Sequence, residues 1–302
     1  MHEKADQWTI SEVFSQIATM DSVDLALRLT LLALLLHPIG DWSLRPIILG
    51  LAASGLLFPG LLRNPWLWGV LAVLTGLRVA LDWQLADNHG YLLCYWCLAV
   101  TLALVSNDPR GCLALNGRLL IGWAFAFATL WKLLSPDYLD GRFFRVTLLI
   151  DLRFAEFAQL AGGLTPDLFD ALREFVHQHV DGSLLEPLPI PSVPDRFLWL
   201  ARFATLWTVG SEEAVALTFL WPVRRGLSRA RNIILLLFCA TTYAVATITG
   251  FGWLLLAMGI AQCDPERRTR LCYLVVFVLI LFYSQVPWVE WLLEISRDSF
   301  LR

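Results

Sequence analysis

The chain has 302 residues, of which 57% are hydrophobic and 16% charged, and its mean hydropathy is +0.61. This is too apolar for an ordinary soluble domain and places the chain among membrane proteins. The formal net charge of -3 carries no basic excess, so the electrostatic footprint of a nucleic-acid binder is absent.

The polar N-terminus, 1–22, holds Glu3, Asp6 and Glu12 where a secretory signal needs a basic start and an early apolar run. The first apolar helix is therefore the expected insertion signal. A membrane-crossing helix needs about 20 largely apolar residues. Such segments fall at 23–38, 45–62, 64–84, 89–106, 116–135, 197–221, 231–247, 249–263 and 270–292. The pattern predicts an all-α polytopic membrane bundle of eight or nine spans, forming a single domain over 1–302. Turn signals separate the early spans at Pro38-Ile39-Gly40-Asp41, Pro59-Gly60 and Asn107-Asp108-Pro109. Near Gly250-Phe251-Gly252 one long apolar run must be broken in two.

Between the fifth and sixth spans, the segment 136–196 is richer in charge. Pro187, Pro189, Pro191 and Pro194 make its end an extended linker. Within it, Leu168, Phe169, Leu172, Phe175 and Val176 have the spacing of an amphipathic helix that lies on the membrane or caps the bundle. Basic residues in short loops stay preferentially cytoplasmic. Placing Arg224, Arg225, Arg229 and Arg231 inside puts Arg63, Arg110, Arg118, Arg267, Arg268, Arg270 and the N-terminus on the same side. His89, Lys132 and the 136–196 insertion then face outward.

Lys132 stands out because Lys4 is the only other lysine, against 21 arginines. A buried amine can become a proton acceptor near neutral pH, whereas a guanidinium stays charged. The competing reading is an interfacial lysine snorkelling beside Trp131 and Tyr138. His89, on the same side, could exchange protons with a substrate or simply cap its helix. Glu212 and Glu213 are adjacent acids inside a span and need a partner. They project about 100° apart, so only one readily faces the interior, and Arg28 of the first span is the expected counterion for one of them, in a structural ion pair rather than a catalytic one. Cys94 and Cys97, at i and i+3, could form a redox pair passing electrons to a quinone. His177-Gln178-His179 lacks the spacing that completes a metal site, so no metal is expected.

Several of these pieces together resemble one family. Asn88-His89-Gly90-Tyr91-Leu92, then Arg118, then Lys132-Leu133 with Asp137-Tyr138-Leu139-Asp140-Gly141 resemble the membrane domain of vitamin K-dependent gamma-glutamyl carboxylase. The same pattern belongs to the bacterial horizontally transferred transmembrane (HTTM) family. Arg28 and the acid at Glu212, followed by Pro222-Val223-Arg224-Arg225, also fit. The resemblance implies a multi-pass protein of the bacterial inner membrane in which Lys132 is the general base acting on a reduced quinone. His89 would lie near the reacting ring, and Asn88, Tyr91 and Trp131 would contact it. A peptide or small partner would be the molecule modified. Where the carboxylase carries a histidine before its Gly-x-Phe motif, this chain has Ala240-Thr241-Thr242-Tyr243. Two further functions fit the residues alone: thiol to quinone electron transfer through Cys94 and Cys97, and a non-enzymatic scaffold or maturation partner.

Overall fold

The computed structural model describes residues 19–81, 83, 88–180, 192–221, 227–246, 248–263 and 266–300, without the side chains of 178–180, 227–229 and 296–300. Among these residues all regular structure is helical. The expected prolines 187, 189 and 191, the segment 222–225 and the N-terminal acids lie outside the described residues.

Helix α1 (Ser22–Leu36) ends where the chain turns through Pro38 and Gly40, the latter at φ 88°, a left-handed conformation that glycine adopts without a Cβ clash. Helix α2 (Arg45–Leu57) stops at Phe58 because Pro59 disfavours helical backbone in the residue before it. The one-turn α3 (Pro59–Leu62) follows, so the expected single span 45–62 is two helices. Helices α4 (Pro65–Leu81) and α5 (Asn88–Val105) form a closely packed pair, in which a Cβ on Gly76 would stand 3.2 Å from the Cys94 sulfur.

Helix α6 (Pro109–Leu134) starts seven residues before the expected 116, because Asp108 caps it by accepting from the Gly111 amide and Pro109 fits its first turn. Its 26 residues span about 39 Å, more than a hydrocarbon core. The insertion contains α7 (Pro136–Leu139), α8 (Arg142–Ile150), a 3-10 turn, α9 (Ala155–Gly162) and α10 (Pro166–Val180). Helix α11 (Asp195–Leu220) returns along α6. Helices α12 (Leu227–Val245) and α13 (Thr249–Gln262) separate just ahead of the expected glycines. Gly252 is instead a packing position, where a Cβ would come within 2.8 Å of Ile280 and Tyr243. The expected run 270–292 is divided at Pro287 into α14 (Arg267–Gln285) and α15 (Trp288–Phe300).

Among the described residues, α5, α6 and α14 are long and apolar enough to cross a membrane, while α2, α4, most of α12 and α13 are shorter apolar helices. The outside of the bundle carries exposed Trp66, Trp131, Phe203 and Leu206, the reverse of a water-facing surface. Two hydrophobic cores lie inside. The larger includes Leu27, Trp68, Trp96, Ile121, Phe219 and Trp253. The smaller is built by the insertion: Leu148, Phe154, Phe169 and Leu172 close on Phe197 and Ala201 of α11. The amphipathic pattern of α10 therefore serves this second core, through Phe169 and Leu172.

At one end of the bundle, Arg63 holds Asp21 and Asp24 at 2.5 and 2.6 Å. Arg270 donates to the Met20 carbonyl there at 2.7 Å. Arg231 donates to the Thr218 carbonyl and to Gln262, whose amide in turn meets Asn232, the acceptor of the Tyr273 hydroxyl. Arg231 and Arg270 are thus not loop charges, as the sequence suggested, but 5% exposed helix residues that lock helix ends together.

Candidate functional site

Lys132 occupies the last turn of α6, at the end of the bundle far from these arginines. Its register against α11 is set by Gly122, where a Cβ would stand 2.7 Å from Leu220, so small residue and large side chain interlock and the helices run together. Towards the end of α6 this packing brings Lys132 to Glu212. The Lys132 Nζ donates to Glu212 Oε2 at 2.5 Å, with the side chains 18% and 10% exposed. Glu212 sits on α11 between Ala201, part of the smaller core, and Val215, part of the larger. The charge pair therefore lies at the seam of two apolar cores, where its attraction is weakly screened.

The two acids divide as helix geometry requires: Glu212 is buried and Glu213 exposed. The counterion is not Arg28. The Arg28 Nε is buried without a hydrogen-bond partner, as is that of Arg118. Sequence spacing could not disclose the true pair, because 80 positions separate Lys132 from Glu212.

Tyr138 covers the amine, with its ring centroid 5.5 Å from Nζ, a cation–π distance. Its ring is held by Phe143 in a stacked contact at 4.8 Å and by Phe144 edge-on at 5.6 Å. Burial pushes the Tyr138 phenol up from its ordinary range, against a smaller opposing pull from the Thr208 hydroxyl. Tyr138 is therefore a neutral phenol.

Sequence reasoning missed two hydroxyls. Phe125 of α6 meets Phe238 of α12 edge-on at 4.8 Å. One turn further along each helix, on the same face, stand Thr129 and Thr242. Both hydroxyls are buried without a hydrogen-bond partner. Other helix threonines, including Thr30, Thr75, Thr205 and Thr218, satisfy theirs on the carbonyl four residues back. A buried unsatisfied hydroxyl is costly and calls for an explanation.

His89 stands apart from Lys132. Its ring stacks on Phe251 at 4.1 Å, and Phe251 is level with Phe125, at 6.2 Å. Lys132 lies seven residues beyond Phe125, about 10 Å along the helix at 1.5 Å per residue. The cavity that His89 lines does not include Lys132 among its described residues. His89 and Lys132 thus stand at different levels of the bundle. Asn88 and Tyr91 are exposed at the start of α5, and Trp131 is 77% exposed on the outer face of α6. Cys94 and Cys97 are free thiols; Cys97 is fully buried and the Cys94 sulfur bonds the Ala72 carbonyl on α4 at 3.5 Å. His177 is half-buried, and the side chain of His179 lies outside the described residues.

In comparisons with known proteins, no family model, curated protein or solved structure matches the chain.

Proposed function

We propose that the chain is a quinol-dependent membrane enzyme of the HTTM type, similar to the vitamin K-dependent carboxylase membrane domain, modifying a peptide or small partner with Lys132 as general base. The observation that supports this reading is the shielded 2.5 Å contact between Lys132 and Glu212. Moving the shared proton from Nζ to Oε2 converts an ammonium and a carboxylate into an amine and a carboxylic acid, with net charge zero in both forms. The amine so produced can accept a proton from a hydroxyl presented to it, while Glu212 retains the first proton. Tyr138 covers Nζ with its ring. Thr129 and Thr242 supply hydroxyls with unused hydrogen-bonding capacity, which fits a ring bearing polar oxygens. When bound, a reduced quinone would supply the redox driving force that no side chain has.

The topology that goes with this reading has eight or nine crossings of a bacterial inner membrane, with the N-terminus cytoplasmic and the Lys132 end and the 136–196 insertion outside. The exposed Arg63, Arg267 and Arg268 at the opposite end support that orientation.

The test uses purified full-length protein in nanodiscs supplied with a reduced naphthoquinone and oxygen, following quinol consumption. Lys132→Gln and Glu212→Gln are each expected to lower the rate by about a hundredfold or more, with unfolding temperatures monitored in parallel. Folded variants that consume quinol at the wild-type rate would remove Lys132 from catalysis and favour the scaffold reading.

A further inference from the structure

Over its first turns α11 is apolar on opposite faces. Phe197 and Ala201 turn inward to the smaller core and are each 1% exposed. On the far side Trp199, Phe203 and Leu206 are 68%, 62% and 74% exposed. At 100° per residue these three fall within about 60° of one another, so they form one stripe. The Phe203 ring stacks on Trp207 at 6.2 Å, and the Arg202 guanidinium lies 5.7 Å from the Trp199 ring. A helix that is apolar all round is buried, either in protein or in lipid.

Hydrocarbon does not reach this stripe. The Lys132–Glu212 contact sets α6 and α11 level at that point. From Lys132 back to Pro109, where α6 starts, is about 35 Å, and from Glu212 out to Trp199 is about 20 Å more, at 1.5 Å per residue. Val105, a short turn before Pro109, is itself 65% exposed, and Arg110 just after it is exposed too. Exposed apolar side chains therefore run for about 55 Å along the bundle, whereas a hydrocarbon core is about 30 Å thick. A core that starts at Val105 ends near Leu130, which leaves Leu206 about 12 Å and Trp199 about 22 Å beyond its edge. The starts of α5 and α13 lie close to the same edge, since His89 stacks on Phe251 and Phe251 is level with Phe125. Tilt and bilayer thickening absorb small mismatches, not one of this size.

We infer that this stripe is the contact between two copies of the chain. Copies in one membrane carry the stripe at the same height and in the same orientation, so a two-fold axis along the membrane normal sets it against itself without further adjustment. Trp199, Phe203, Leu206 and Trp207 offer on the order of 500 Å² of exposed apolar area, at about 150–250 Å² per large side chain. That is the major part of the roughly 800 Å² per partner in a standard interface. Exposed Arg202 and Glu213 edge the stripe on one side and supply the polar rim of such a contact. The contact is separate from the chemistry of the Lys132 pair and does not depend on the quinol reading.

The full-length protein, with the exposed Cys272 replaced by serine, is reconstituted in liposomes at high dilution in lipid. Single cysteines are introduced by Trp199→Cys, Phe203→Cys and Leu206→Cys, and by Val73→Cys on the exposed apolar face of α4 as a lipid-facing control. Under mild oxidation at least one α11 position gives a disulfide-linked dimer and the control does not. Single-molecule photobleaching of the parent counts two chains per spot. Leu206→Glu raises the dimer dissociation constant by about tenfold or more, because it would bury an unpaired charge. Phe203→Ser shifts it the same way without adding charge, and circular dichroism checks that both variants keep the parent helix content. Single chains per spot with no α11 cross-link would overturn the inference and leave the stripe to the bilayer or to residues 181–191, which lie outside the described ones. Cross-linking of the Val73→Cys control as efficient as that on α11, or a dimer unchanged in both folded variants, would overturn it as well.

Discussion

Lys132 and Glu212 meet at 2.5 Å across the α6–α11 interface, each more than four-fifths shielded from solvent, at the junction of the bundle core and the insertion core. Removing one partner strands the other charge where water cannot fully solvate it, a change that costs about 3–5 kcal/mol for buried pairs. Glu212→Ala is therefore expected to lower the unfolding temperature more than the double variant Lys132→Met, Glu212→Leu, which replaces the pair by apolar side chains. Once the exposed Cys272 is blocked or replaced by serine, labelling of the buried thiols Cys97, Cys239 and Cys263 by a thiol-reactive fluorophore reports the unfolding. A double variant less stable than the single one would contradict the isolated-pair account. If the double variant is stable yet catalytically dead, structural and chemical roles of the pair are separated.

A glycine that meets the backbone of a neighbouring helix suits a volume test. A Cβ on Gly117 of α6 would stand 2.9 Å from the Met258 carbonyl oxygen of α13 and 3.6 Å from the Trp96 ring. The nearest atom is backbone and cannot swing aside, so Gly117→Ala must push the helices apart at a cost of about 1–3 kcal/mol. Gly210 on α11 has no neighbour within 4 Å of such a Cβ. Gly210→Ala should be neutral or stabilising by up to about 1 kcal/mol through helix propensity. Comparable unfolding temperatures for the two variants would refute this reading of the α6–α13 contact.

The sequence disclosed features whose cause is local. Lys132 was legible because one lysine among arginines is chemically distinct, and the split between Glu212 and Glu213 follows from 100° per residue. The amphipathic spacing of 168–176 correctly marked a face that buries Phe169 and Leu172. What failed depends on tertiary contact or on backbone chemistry that hydropathy ignores. Apolarity continues across Phe58-Pro59 and Val286-Pro287, but a proline breaks the helix there. Arg231 and Arg270 read as loop charges because hydropathy ignores the carbonyls and amides that satisfy them. Arg28 looked like the counterion of one of Glu212 and Glu213 because all three interrupt apolar runs, yet helix order in space brings Lys132 to Glu212. The Thr129 and Thr242 hydroxyls carried no sequence signal, since threonine in a helix ordinarily bonds its own backbone.

The insertion provides a pH-dependent contribution outside the spans. Asp151 accepts from the Arg153 amide and guanidinium, and the Arg153 side chain is the main cause holding its carboxyl below the ordinary carboxylate range. A carboxylate lowered in the folded state adds stability above its unfolded pKa, and that stability is lost as pH falls through the folded value. Asp151→Asn should therefore be less stable than wild type at neutral pH, by a few tenths to about 1 kcal/mol because the pair is partly exposed. The gap should narrow as the pH falls below the ordinary carboxylate value of 3.8 and close only below the lowered folded value. A difference that is constant from pH 7 to pH 3 would assign the effect to packing rather than to charge.

Thr129 offers the sharpest separation of stability from ligand binding. Its hydroxyl is buried with no partner, so the folded state carries its desolvation cost without a compensating bond. Thr129→Val keeps the branched shape and removes that cost, and it should raise stability by up to about 1 kcal/mol. If the hydroxyl serves a bound polar oxygen, the same change must weaken that ligand, by roughly fivefold to tenfold for one neutral hydrogen bond. Thr242→Val should behave in the same way. Thr205→Val is the control, because that hydroxyl already donates to the Ala201 carbonyl at 3.0 Å and has less to offer a ligand. Isothermal titration with a reduced naphthoquinone under nitrogen, paired with thermal unfolding, reads both quantities on one preparation. Gained stability with unchanged quinol affinity would detach the two hydroxyls from the ligand and leave the Lys132–Glu212 pair to carry the proposal alone.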